Sequence, residues 1–114
     1  MATALVAVSA HADEAVSKKL ATCEGTPNCL STQAFDKPHH IPPLRVSGDP
    51  QKAWQQFRQA IQGLDRALIT HETETSLHLE ITSLVLHFVD DVEAFLDAKS
   101  GMIHLRSASR VGHN

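Results

Sequence analysis

Asp90-Asp91-Val92-Glu93-Ala94-Phe95-Leu96-Asp97-Ala98-Lys99-Ser100-Gly101-Met102-Ile103-His104-Leu105-Arg106-Ser107-Ala108-Ser109-Arg110-Val111 alternates apolar and polar side chains on both sides of a Lys-Ser-Gly turn. A period of two predicts half-buried strands, and the turn between them predicts a hairpin whose last strand runs from Met102 to Val111. Pairing Lys99 with Met102 sets Leu96 opposite Leu105, Ala98 opposite Ile103, Ala94 opposite Ser107 and Val92 opposite Ser109. That face is apolar and small, fit to receive a helix. The other face then pairs Asp97 with His104, Phe95 with Arg106, Glu93 with Ala108 and Asp91 with Arg110, with Glu93 and Asp97 diagonal to Arg106. A slip of one residue would mix charged and core positions in the same pairs.

Working outward, Leu77, Leu79 and Ile81 alternate with His78, Glu80 and Thr82, and Leu84, Leu86 and Phe88 continue on even positions. One long strand from Leu77 to Leu96 is expected, bulged or bent at Asp90-Asp91, in a meander that starts near Ala67. Before it, Gly48-Asp49-Pro50 announces a helix, with Asp49 as N-cap and Pro50 at the first helical position. Ala53, Trp54, Phe57, Ala60, Ile61 and Leu64 form one stripe on that helix, with Trp54 as its core anchor. Leu44-Arg45-Val46 reads as a short edge strand, and Phe35 to Pro43, with three prolines, as an extended connector. The expected fold class is α+β: one amphipathic helix packed on a three- to four-stranded antiparallel meander, with an irregular N-terminal arm.

The chain of 114 residues has room for one core. Ten Lys and Arg against 13 Asp and Glu leave a net charge of −3, which excludes a basic nucleic-acid-binding surface. Four Phe, one Trp and no Tyr exclude a base-stacking platform. No stretch approaches the run of about 18–20 apolar residues that a transmembrane helix needs.

Residues 1–12, small and apolar and ending in Ala10-His11-Ala12, resemble a signal segment with an A-x-A cleavage site, atypical in lacking a basic start. Export to the periplasm or cell envelope is the expectation, with the mature chain beginning at Asp13. Residues 13–43 then form the arm and Cys/Pro-rich loop, and residues 44–114 the α+β core. Cys23 and Cys29 enclose Glu24-Gly25-Thr26-Pro27-Asn28, a turn-forming loop without metal-site or redox spacing. In an exported chain they are expected as a disulfide, worth about 2 kcal/mol by the loop-entropy argument. Two free thiols are the alternative in a reducing compartment.

Seven acids and no Lys or Arg lie between Ala67 and Ala98, while the segment after Ala98 has Lys99, Arg106 and Arg110 and no acid. Two readings stand. The charges form a self-neutralising ladder of surface ion pairs, each worth little in water. Otherwise Asp91, Glu93, Arg106 and Arg110 form a polar binding face, where the arginines receive a small anionic ligand or the acids hold a cation. A serine hydrolase has its residue types in Ser107, Ser109, His104 and His87, but no G-x-S-x-G elbow, and the serines face away from His104. The eight histidines are scattered; only His78 and Glu80 share a strand face, so neither a metal nor another cofactor is expected, and no catalytic residue is assigned.

Three motifs add a resemblance. Thr26-Pro27-Asn28-Cys29-Leu30-Ser31, Phe88-Val89-Asp90-Asp91-Val92-Glu93 and Arg106-Ser107-Ala108-Ser109-Arg110-Val111-Gly112 resemble, in order, segments of the domain-of-unknown-function 1499 (DUF1499) family. The resemblance spans about Cys23 to Gly112. It implies a bacterial-type, often exported or membrane-associated domain with no established activity, cofactor or substrate. Family members continue beyond the third segment with further basic residues, so a chain ending at His113-Asn114 is expected to be a truncated form. The combined expectation is a non-catalytic binding or interaction module of the cell envelope, its partner an envelope protein or a small anionic ligand. The alternative is an enzyme or small-ligand carrier using the Asp91, Glu93, Arg106 and Arg110 face.

Overall fold

The structure is a computed structural model that describes residues 19–24 and 28–110. The expected signal segment, the start at Asp13 and the end of the last strand at Val111 lie outside the described residues. Among the described residues the fold is α+β, with one α-helix and a six-stranded, antiparallel sheet. In chain order the elements are β1 (Cys29–Ser31), a 3-10 turn (Lys37–His39), β2 (Leu44–Arg45), α1 (Pro50–Gln62), β3 (Ala67–Glu72), β4 (Ser76–Thr82), β5 (Val89–Asp97) and β6 (Met102–Ser109). The sheet order is β1-β6-β5-β4-β3, and β2 pairs with β6 alongside β1. Four strands make the expected meander. The two additional ones come from segments too short for periodicity to reveal, lying end to end along the outer edge of β6: Cys29 opposite Ala108, and Leu44 opposite Ile103.

Helix α1 begins where its signals place it. The Asp49 carboxylate accepts from the Gln51 N–H at 3.0 Å, satisfying one of the free amides of the first turn, and Pro50 opens the helix. Trp54, 1% exposed, is its buried anchor; Phe57 and Ile61 follow it onto Leu77 and Leu79 of β4, Ala94 and Leu96 of β5 and Ile103 of β6. The stripe ends early, since Leu64 lies beyond the last helical turn and is exposed. A bidentate Arg58–Glu72 pair, with both N···O distances 2.7 Å, ties the exposed side of the helix to β3.

Two expectations about the strands are corrected. Leu77 to Leu96 is two strands, because the chain reverses at Ser83–Phe88. The Ser83 N–H donates to the Phe88 carbonyl at 2.8 Å, the Phe88 N–H donates to Ser83 Oγ at 2.9 Å, and His87 takes a left-handed φ of 57°. No Gly, Pro, Asn or Asp marks this turn, so its alternating leucines read as strand although Leu84, Val85 and Leu86 are exposed. The β5–β6 register also differs: Asp97 pairs with Met102, Leu96 with Ile103, Ala94 with Leu105 and Glu93 with Arg106. The turn is Ala98–Gly101, closed by the Gly101 N–H on the Asp97 carbonyl at 2.9 Å, and Gly101 supplies the required φ of 71°. The register is thus displaced by two residues, which changes every partner and leaves every side chain on its expected face.

Candidate functional site

The face of the sheet away from α1 carries the candidate residues. Two rows cross it: His78 (β4), Glu93 (β5) and Arg106 (β6); then Glu80, Asp91 and Ala108. Arg110, just past β6, reaches back diagonally. Its Nε and Nη2 donate to the two Asp91 oxygens at 2.8 Å each, and Nη2 donates to Glu80 Oε2 at 2.7 Å. The Asp91–Arg110 pairing expected from direct opposition therefore forms diagonally. Hydrogen bonding and charge from Arg110 hold the Asp91 carboxyl below its ordinary range, and the two carboxylates push the guanidinium of Arg110 up. His78 Nε2 lies 3.5 Å from Asp91 Oδ1, and the Thr70 hydroxyl is 3.0 Å from His78 Nδ1.

Arg106 does something different. Glu93 lies directly opposite it, yet the Arg106 Nη2 donates to the Thr22 carbonyl at 3.2 Å and so pins the N-terminal arm onto the sheet. Its Nε is buried and, among the described residues, has no hydrogen-bond partner. Asp91, Arg106, Ala108 and Arg110 together line a cavity of about 330 Å³. The four candidates are thus neighbours divided between two tasks: Arg110 joins three strands through Asp91 and Glu80, while Arg106 joins sheet to arm. Glu80 and His78 belong to the cluster as well. Their shared strand face was visible in their spacing, but only the three-strand register brings them to Asp91.

The arm that Arg106 holds is also stapled by the Cys23–Cys29 disulfide, with a Cα–Cα distance of 5.7 Å. Cys29 and Ala108, opposite each other, are both buried. Beside them Phe95 packs on His104, with ring centroids 5.3 Å apart. Thr32 binds this layer from above: its N–H donates to the Leu105 carbonyl at 3.0 Å, and its hydroxyl accepts from the Leu105 N–H at 3.1 Å. The same hydroxyl lies 2.8 Å from His104 Nδ1. Burial pushes the His104 imidazolium pKa down, which favours the neutral ring beside the Thr32 hydroxyl.

Between the arm and the loop after β1 runs a larger groove of about 890 Å³. Leu20, Ala21, Ala34 and Phe35 supply its apolar lining, and Lys19, Asp36 and His40 its ionisable groups. The Leu20 N–H donates to Gln33 Oε1 at 2.8 Å across it, and Phe35 stands fully exposed at 103%. Its segments are irregular, so no periodicity announced it. Ser107 and Ser109 alternate with His104 onto opposite faces, and His87 sits at the hairpin tip. Among the described residues, no three His, Cys, Asp or Glu side chains are placed to share a metal ion, and no helix is long and apolar enough to cross a membrane.

No curated protein and no solved structure matches the chain. The family pattern for proteins of unknown function DUF1499 matches residues 19–114, from the arm through the last strand, so the chain belongs to the DUF1499 family.

Proposed function

We propose that this chain is an exported cell-envelope domain that acts by binding, and that its binding surface is the groove between the N-terminal arm and the loop after β1. The observation that carries this reading is the groove itself. At about 890 Å³ it has the size of a small-ligand or side-chain-binding cleft, with apolar walls and a few polar groups. The Cys23–Cys29 disulfide and the Arg106–Thr22 hydrogen bond hold one wall in place. The disulfide also supports export, since such bonds persist in oxidising compartments. An envelope protein offering an apolar segment is the partner class this surface suits. Fluorescence titration with 1-anilinonaphthalene-8-sulfonate tests the groove: saturable 1:1 enhancement, reduced in Phe35→Ala, is expected. No enhancement, or one indifferent to Phe35, refutes it. Intact mass of the protein recovered from the envelope tests export, which predicts loss of residues 1–12.

A second reading, a carrier of a small anionic ligand on the polar face, is favoured by the partnerless Nε of Arg106 beside the 330 Å³ cavity. Against it, Asp91 lines that cavity and already occupies Arg110. A rise in melting temperature with inorganic phosphate, abolished in Arg106→Gln, would decide for it.

A further inference from the structure

The Ser83–Phe88 turn projects four apolar side chains into solvent: Leu84 is 63% exposed, Val85 78%, Leu86 63% and Phe88 41%. Leu64, 51% exposed, lies at the same end of the sheet, two residues before Arg66, whose carbonyl accepts from the Thr82 N–H at 3.1 Å. An exposed apolar run of this kind marks a surface that meets a partner or a membrane. Ser83 to Val89 carries no Lys, Arg, Asp or Glu. The Ser83 N–H donates to the Phe88 carbonyl and the Phe88 N–H to Ser83 Oγ, so the base of the tip is closed and its shape preformed. None of these residues lines the groove or the cavity of the polar face.

We propose that the Leu84–Phe88 tip inserts into the interface of a zwitterionic lipid bilayer and holds the domain on a membrane surface. Shape favours a bilayer over a protein pocket. Leu84, Val85 and Leu86 are consecutive residues of a turn, so their side chains point to different sides of it. A protein groove covers one side, whereas a fluid acyl layer covers all of them at once. Charge favours the kind of lipid. Behind the tip stand Asp65 and Arg66 before β3, Glu80 in β4, Asp90 and Asp91 in β5, and Arg110 after β6, which is already bound to Glu80 and Asp91. Acids outnumber bases in this collar, so it repels an anionic surface, which would call for clustered Lys and Arg. A zwitterionic headgroup offers a phosphate to Arg66 and an ammonium to the free acids. His87, the one ionisable residue of the tip, has the apolar body and polar edge that suit headgroup depth.

A tip of four apolar residues binds weakly, so flotation of the full chain with phosphatidylcholine vesicles is followed into the millimolar range of lipid. Wild-type protein is expected to float with the vesicles, to do so equally in about 0.5 M salt, and to float less when phosphatidylglycerol replaces part of the lipid. Leu86→Glu is expected to lower the partition coefficient about tenfold or more, and Phe35→Glu, in the groove, to leave it unchanged. Both alter exposed side chains, and circular dichroism checks that each variant stays folded. Leu86→Trp keeps the tip apolar and reports on it: its emission is expected to shift to the blue with vesicles, while Trp54, 1% exposed, does not respond. A wild-type chain that does not float, flotation indifferent to Leu86→Glu, or a Leu86→Trp emission unmoved by vesicles overturns the proposal. So does flotation that needs phosphatidylglycerol and disappears in salt. Flotation lost with Phe35→Glu but not with Leu86→Glu moves the lipid to the groove and refutes the tip. A chain that oligomerises through Leu86 without lipid refutes it as well, because the tip then meets protein.

Discussion

The two faces of the sheet are held by different physics. Toward α1, Trp54, Leu79 and Leu96 are at most 2% exposed and the contacts are almost wholly apolar. Toward the arm, the cover is a short irregular segment fixed by a disulfide, an arginine reaching a carbonyl and a threonine bridging strand and imidazole. A helix can bury a face through its own periodic stripe. The described arm residues 19–24 form no helix or strand and so carry no such stripe; single directional contacts must hold them, and the spaces those contacts leave become the groove and the cavity. The sharpest way to break the contrast is at its strongest point. Trp54→Ala removes the largest fully buried side chain and is expected to cost about 3–5 kcal/mol. Urea denaturation followed by far-ultraviolet circular dichroism measures it. A loss under about 1 kcal/mol would mean the helix face is not the main source of stability.

The arm face is next. Cys23→Ser opens a ring closed across a sequence separation of 6, for which the loop-entropy argument gives about 2 kcal/mol. Cys29 is buried and Cys23 only half-buried, so Cys23 is the cleaner site to change. If the two faces are separable, the variant keeps the Trp54 fluorescence of the wild type and loses the dye-binding groove. Loss of both together would show that the arm is part of one cooperative core.

What the sequence made legible follows the same division. Asp49-Pro50 and the Trp54 stripe located α1, and period two located β6 and marked β4 and β5 as strand, though as a single one, because repeated burial leaves a repeated pattern. The Ser83–Phe88 turn was hidden because His87 supplies the left-handed residue that glycine usually provides, while its leucines prolong the strand pattern. The β5–β6 register was displaced because a shift of two keeps every residue on its face, so patterning cannot distinguish the alternatives; the Asp97 carbonyl and Gly101 decide it. Asp91, Glu93, Arg106 and Arg110 were found as a group from the separation of charge along the chain. That Arg106 turns to Thr22 depends on where the arm lies, which no local signal encodes.

Half-buried His104 gives the arm face a pH dependence of its own. Burial makes folded protein hold a proton on His104 more weakly than the unfolded chain does. Its stabilising contribution is therefore complete above the unfolded pKa of about 6.5 and is lost as pH falls through the lower folded value. Melting temperature is expected to fall between about pH 7.5 and pH 5.5, and His104→Gln to flatten that slope. An unchanged slope would place the titration on other histidines and remove the Thr32–His104 contact from the account of how the arm is held.

Arg110 should matter least, although it makes three side-chain hydrogen bonds. Its side chain is 51% exposed, and water competes for every bond it makes. Arg110→Ala is expected to lower the melting temperature slightly, by an amount that shrinks as salt screens the pair. Acid should shrink it too. Asp91, held below its ordinary range by Arg110, contributes above the unfolded carboxylate pKa of about 3.9, and that contribution disappears as pH falls through the folded value. Wild type and variant should therefore converge at high salt and again in acid, as expected for a ladder that serves the sheet. A gap that survives both, together with stabilisation of wild type but not of the variant by phosphate, would make the polar face a ligand site. The contrast between a packed face and a binding face would then extend to both sides of β6.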